Sequence, residues 1–249
     1  NYPNIKIAQW FLDRMDTQWI GNKKRFLDKI DMMDASFCTT EPNSLNIQSK
    51  YKVFYIPNPV DASFEKLKNY NNTNFNNDVF FAMSHGVHRG ILKEGKKDGR
   101  EIFLKRLKKK IPFVKFDIFG MNGAQPIWGD NFIKTLSNYK MGLNLSRGSP
   151  IKYYSSDRIV QLIGNGVLTF IDKNTKLNEI INSSGVIYYN NIDDLANKII
   201  FFQKNPKMIN SISSKGKKEY FKKFNSNKVS RYIIEKTIGI KSNHKYSWN

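Results

Sequence analysis

From Asp78 to Tyr189 the chain alternates short apolar runs with helical stretches, and this rhythm constrains the fold more than any other feature. Strand-like runs at 78–84, 114–120, 141–145, 167–171 and 186–189 are separated by helical patterns at 99–110, 130–139 and 155–166, with a short helix expected around 177–182. Apolar runs spaced by crossover helices fit strands buried on both faces, the arrangement of a parallel sheet covered on two sides. The expected class is α/β with a Rossmann-like parallel sheet. Ligands in such sheets sit beyond the carboxyl ends of the strands, so the strand-exit loops are where binding residues are sought.

Ahead of this regular half, residues 5–12 read as a strand, 18–33 as a helix, and 35–40 and 52–56 as two more strands. Pro57-Asn58-Pro59-Val60-Asp61 stops that pattern, because two prolines force extended backbone and withhold donors. The Asn- and Lys-rich stretch that follows, to Asp78, reads as an exposed linker. The expected division is 1–57, 58–225 and 226–249. The tail from Ile192 to Gly239 reads as helical. Ile192, Leu195, Ile199 and Phe202 share one face, and Val229, Tyr232 and Ile233 form a stripe closed by Gly239.

A single cysteine, Cys38, excludes an internal disulfide and a multi-cysteine metal site, in line with a reducing compartment. Lying in Ala35-Ser36-Phe37-Cys38, it reads as a small core residue. No apolar stretch reaches the ~18 residues of a membrane span, and no secretory pattern opens the chain, so a soluble, cytoplasmic protein is expected. The start at Asn1-Tyr2-Pro3, without methionine, suggests a fragment or processed product. Lys and Arg number 41 against 21 for Asp and Glu, a net charge of +20. Such a balance attracts phosphate polymers or anionic lipid. The excess is spread through a chain rich in Lys, Asn and Ile together, however, and Lys105 to Lys110 and Lys215 to Lys223 read first as solvated helix faces.

Four strand-exit loops converge on one expected crevice. Ser84-His85-Gly86 with Arg89 and Lys93 follows the first strand of the regular half, where a glycine lets the backbone approach a diphosphate and cations neutralise it. Gly120 and Asn122 close the next strand, and Asn144 and Arg147 the third. Tyr153 and Tyr154, offering ring faces for stacking, precede Ser155 or Ser156, read as the cap of a helix carrying Asp157, Arg158 and Gln161 and ended by Gly166. Its first turn would present free N–H groups to an anion. Neither G-x-G-x-x-G nor a proper phosphate-binding loop is present, since Lys97 stands where Gly90 to Lys97 would need a hydroxyl. His85 and His88 have no evident third metal ligand, and no Asp-x-Asp pair occurs, so no metal is expected.

Tyr55-Ile56-Pro57-Asn58-Pro59-Val60-Asp61, and Ser156-x-Arg158 leading through the helix to Gly166, resemble the pattern of GT-B glycosyltransferases of the group 1, family 4 type. The resemblance covers roughly 52 to 238. It implies that 58–225 is a nucleotide-sugar-binding domain, that 1–57 is the remnant of an acceptor-side domain, and that 226–249 holds a helix crossing back to it. It assigns donor diphosphate to Ser84, His85, Gly86, Arg89, Lys93, Arg147, Ser155 and Ser156. Nucleoside and sugar fall to Gly120, Asn122, Asn144, Tyr153, Tyr154, Asp157, Arg158 and Gln161. Where the family places two glutamates eight residues apart, this chain has Tyr153 and Gln161. The implied activity is metal-independent sugar transfer from a nucleotide-diphosphate sugar to a glycan, lipid-linked or other hydroxyl acceptor, with polysaccharide synthesis at the inner face of a membrane as its setting. A basic nucleic-acid-binding module and an inactive GT-B relative are the alternatives.

Overall fold

The computed structural model describes residues 4–16, 20–73, 75, 77–83, 99–121 and 123–249. Two parallel sheets carry the fold. The smaller has the order β1-β2-β3, from Ala8–Phe11, Ala35–Cys38 and Val53–Tyr55. The larger, from β4 (Asn77–Ala82), β5 (Phe116–Phe119), β6 (Tyr139–Asn144), β7 (Leu168–Asp172) and β8 (Ile187–Tyr189), has the order β5-β4-β6-β7-β8. The chain lays β5 on one side of β4 and then returns to lay β6 on the other, Val79 pairing with both Phe116 and Met141. The winding direction thus reverses between β4 and β6, which opens a crevice at their carboxyl ends.

Side-chain alternation along β4 shows why both faces are covered. Val79 and Phe81 point into a core built with α2 (Gly99–Lys110) and α5 (Ile192–Lys204), through Leu104, Leu107, Leu195 and Ile199. Phe80 points the other way, into Phe132 and Leu136 of α3 (Gly129–Leu136) and Leu162 of α4 (Arg158–Gly164). Two long helices, α6 (Pro206–Phe224) and α7 (Ser226–Ile238), finish the chain. Tyr232 of α7 packs edge-on against Phe37 and Phe54, so the last helix returns to the small sheet, whose other face receives α1 (Ile20–Leu27) through Phe26.

Cys38 is buried, and desolvation pushes its thiol up to about 12, so it is a core residue as the sequence suggests. The expected helix over 18–33 is shorter: α1 ends at Leu27, and a single 3-10 turn covers Ile30–Met32. Around Leu177 the helix is likewise a 3-10 turn. The tail is helical, as its pattern suggests, and is divided into three helices. Pro206 opens α6 and Asn225 caps α7 by accepting from the Lys228 N–H.

The stretch read as an exposed linker is instead a strap packed on the large sheet. Asn69 is buried, its amide donating to the Leu136 and Tyr139 carbonyls at 2.8 and 2.9 Å, while its own N–H reaches the Asn165 carbonyl. Lys217 of α6 donates to the Glu65 and Leu67 carbonyls. A polar segment can be buried when each polar group finds a partner, and here the partners come from elements far away in sequence. At Gly166, in the left-handed region at φ +75°, a Cβ would strike the Tyr70 ring of this strap, so glycine is required both for the helix exit and for the contact.

Candidate functional site

The helix α4 begins at Arg158, later than its sequence pattern suggests, and neither serine caps it. Ser155 is buried, its hydroxyl bonded to the Asn144 side chain at 3.2 Å and to the Ser156 carbonyl. The Ser156 hydroxyl accepts from the Arg158 guanidinium at 2.7 Å. The reason is Arg158 itself. Nearly buried, it donates to the Ala82 carbonyl at 2.7 Å and to the Leu145 carbonyl at 2.8 Å, and its guanidinium lies over the Phe81 ring. Those two carbonyls stand at the carboxyl ends of β4 and β6. One fork of donors therefore ties together the ends of the two neighbouring strands over which the crevice opens.

Over this clamp lies a cavity of about 300 Å3. The large sheet contributes Met83, the helix side Tyr154, Ser156, Asp157, Arg158 and Gln161, and the start of α3 Ile127 and Trp128; Leu12 and Asp13, from the end of β1, form the opposite wall. The cavity is thus bounded by both sheets. Burial pushes the Tyr154 hydroxyl up to about 12, so it acts as a neutral donor. Asp157 opens onto the cavity, yet the surrounding protein desolvates its carboxyl and raises its pKa; Arg158 opposes that shift and Asp13 across the cleft adds to it. A second cavity, of about 510 Å3, which shares no lining residue with the first, is lined by Asn144, Ser146, Arg147, Arg100, Asp172 and Tyr189 among others.

The two parts of the molecule meet beside this turn. Arg14, almost fully buried, is ion-paired with Asp16, donates to the Arg147 carbonyl and lies over the Tyr154 ring. Asn58, between Pro57 and Pro59, donates to the Ser155 carbonyl at 3.1 Å and accepts from the Tyr220 hydroxyl at 2.9 Å.

Of the residues singled out in sequence, Tyr154, Ser156, Asp157, Arg158 and Gln161 share the first cavity, and Asn144 and Arg147 line the second. Ser155 links the two through Asn144. Gly120, at φ +81°, lines neither; a Cβ there would collide with the Met83 carbonyl, so its place is the close contact between the ends of β5 and β4. Tyr153 is turned away from both cavities, bonded to Glu179 at 2.6 Å and packed on Tyr55. Ser84, His85, Gly86, Arg89, Lys93 and Asn122 lie outside the described residues, as does His88. The sequence reading missed Leu12, Asp13, Ile127 and Trp128. Only the docking of one sheet on the other and the path of the β5–α3 loop bring them to the cleft.

A parallel five-stranded sheet with a two-walled cleft at its switch point defines a GT-B type of architecture, and three solved structures share it. They are S. aureus TarM in complex with fondaparinux, α-GlcNAc-glycerol and UDP (TM-score 0.61, 16% identity, 96% of this chain and 51% of that one), Anabaena HepE in complex with UDP (0.62, 11%, 94% and 72%), and an α-glucosyltransferase in complex with UDP-glucose and DNA containing an abasic site (0.62, 12%, 94% and 72%). At these identities the likeness is one of fold. The present chain spans about half the length of TarM. No curated protein matches it by sequence. The family model for glycosyl transferase-like proteins matches residues 97–235, and the chain belongs to that family.

Proposed function

We propose that the chain is the donor-binding part of a nucleotide-sugar glycosyltransferase, and that the nucleoside diphosphate of an activated sugar lies across the 153–157 turn. The observation that carries this reading is the cleft: Tyr154, Ser156, Asp157, Arg158 and Gln161 line it opposite Leu12 and Asp13, where the strand order reverses. The family membership supports the same reading.

In this assignment Gln161 bonds the ribose hydroxyls as donor and acceptor, a role its side chain can fill because it makes no hydrogen bond among the described residues. The diphosphate lies beside Ser156 and toward Arg147, and Ser84, His85, Gly86, Arg89, Lys93 and Asn122 keep the donor-binding role that the sequence pattern implies for them. Departure of the sugar leaves charge on the diphosphate, and preorganised donors fixed by the Arg158 clamp lower the energy of that charge without reorganising. Arg158 acts as a positioning residue, since its fork is committed to the Ala82 and Leu145 carbonyls. Tyr153, in this reading, supports the turn from outside. The acceptor hydroxyl, on a glycan or lipid-linked carrier, approaches from the side of Leu12 and Asp13. Transfer proceeds without a metal ion. The excess of basic residues fits work beside an anionic membrane surface, and among the described residues no helix is long and apolar enough to cross one.

The test is a thermal-shift panel of UDP-, GDP-, ADP- and TDP-sugars. A donor present at about a hundred times its Kd stabilises the fold by roughly 2.7 kcal/mol, enough to raise the Tm by several degrees. Absence of any shift at millimolar donor contradicts the proposal.

A further inference from the structure

The cleft does not end at Gln161. A trough of about 510 Å3 continues from it along α3 and α4, sharing Ile127, Trp128, Phe132 and Gln161 with the switch-point cavity and reaching Phe64 on the strap. Two of its rings are displayed to solvent, Phe64 at 73% and Trp128 at 56% exposure. Their backbones are fixed. The Phe64 N–H donates to the Asp61 carbonyl at 3.1 Å and its carbonyl accepts from Lys66, within a turn whose Asp61 carboxylate takes the Ser63 N–H and hydroxyl. The Trp128 carbonyl accepts from Phe132 in the first turn of α3. Large rings held out on rigid backbone, on two sides of one trough, are surface kept available for a partner.

The polar lining narrows the chemistry. Glu65 is buried with its carboxylate on the Asp61 N–H, which leaves Asp130 and Lys66, one charge of each sign, so the trough offers an anion no net attraction. Asp130 also occupies the first turn of α3, where an anion would otherwise sit. The Asp130 side chain makes no hydrogen bond among the described residues and is available for hydroxyls, while Gln161, at the far end of the trough, is left to the nucleotide. Aromatic platforms for the C–H face of a sugar ring, with the Asp130 carboxylate for its rim, suit a neutral pyranose chain.

We propose that this trough is a glycan-binding subsite taking a neutral oligosaccharide, which holds a carbohydrate chain against the transferase beside the donor nucleoside. The choice of a glycan rests on the glycosyltransferase reading above. The experiment is calorimetric titration of the chain with maltotetraose, cellotetraose and N-acetylchitotetraose, with and without saturating UDP, repeated on Phe64→Ala and Trp128→Ala. Saturable binding of at least one tetrasaccharide, weakened about tenfold by each substitution and retained with UDP present, is the expected result. No binding at millimolar sugar, equal affinity in Phe64→Ala, or displacement by UDP overturns the subsite. Phe64 lies outside the switch-point cavity, so Phe64→Ala leaves the thermal shift caused by a nucleotide sugar in place. A lost nucleotide shift with intact tetrasaccharide binding instead counts against the donor reading alone.

Discussion

At the scale of a single side chain, Arg158 fixes the floor of the cleft. Its guanidinium satisfies the Ala82 and Leu145 carbonyls and the Ser156 hydroxyl from a nearly buried position. Arg158→Met keeps the apolar stem but leaves both carbonyls without their donor, and hydrogen bonds to a charged group are each worth about 1.5–3 kcal/mol. A loss of roughly 3 kcal/mol in urea unfolding is expected; a loss below about 1 kcal/mol would show that the clamp is incidental. The residue was visible in the sequence as part of Ser156-x-Arg158, but its role was not. Sequence spacing suggests a ligand contact, whereas its partners are main-chain carbonyls on strands 76 and 13 residues away. Tyr153 shows the same limit, because its left-handed backbone, at φ +61°, and its partners Glu179 and Tyr55 are not written in the local pattern.

Among elements, α4 lies on β6 because Gly142 leaves room for Leu162. A Cβ at that strand position would come within 2.5 Å of the leucine side chain. Gly142→Ala therefore lifts α4 from the sheet and carries Ser156 and Gln161 with it. Overpacking of this kind costs about 1–3 kcal/mol, and nucleotide affinity should fall with it. Chemical denaturation and calorimetry on one preparation check both; wild-type stability and affinity would contradict the packing argument. Elements were the most legible part of this chain. Helix α2 runs from Gly99 to Lys110, the bounds its pattern suggests, and the five strands of the large sheet fall within their expected runs or one or two residues beyond. Apolar periodicity is a local property and survives folding unchanged. The strap was illegible for the opposite reason. Asn69 and its neighbours have the composition of a loop, and only the Leu136 and Tyr139 carbonyls, supplied by another crossover, make burial favourable.

The whole molecule is two sheets joined around a turn, with Arg14 reaching the Arg147 carbonyl and Asn58 linking Ser155 to Tyr220. The alternation of strand and helix patterns foretold an α/β protein but could not foretell which residues would face each other, because Leu12 and Asp13 reach the cleft only through this docking. The central claim is that the joint they form binds a nucleoside diphosphate with Gln161 on its ribose. Titration calorimetry with UDP, GDP, ADP and TDP on the wild type and on Gln161→Ala tests it most directly. One diphosphate should bind saturably and lose about tenfold in affinity, roughly 1.4 kcal/mol, in the variant. No heat from any of the four at millimolar concentration, or the same affinity in both proteins, would contradict the account.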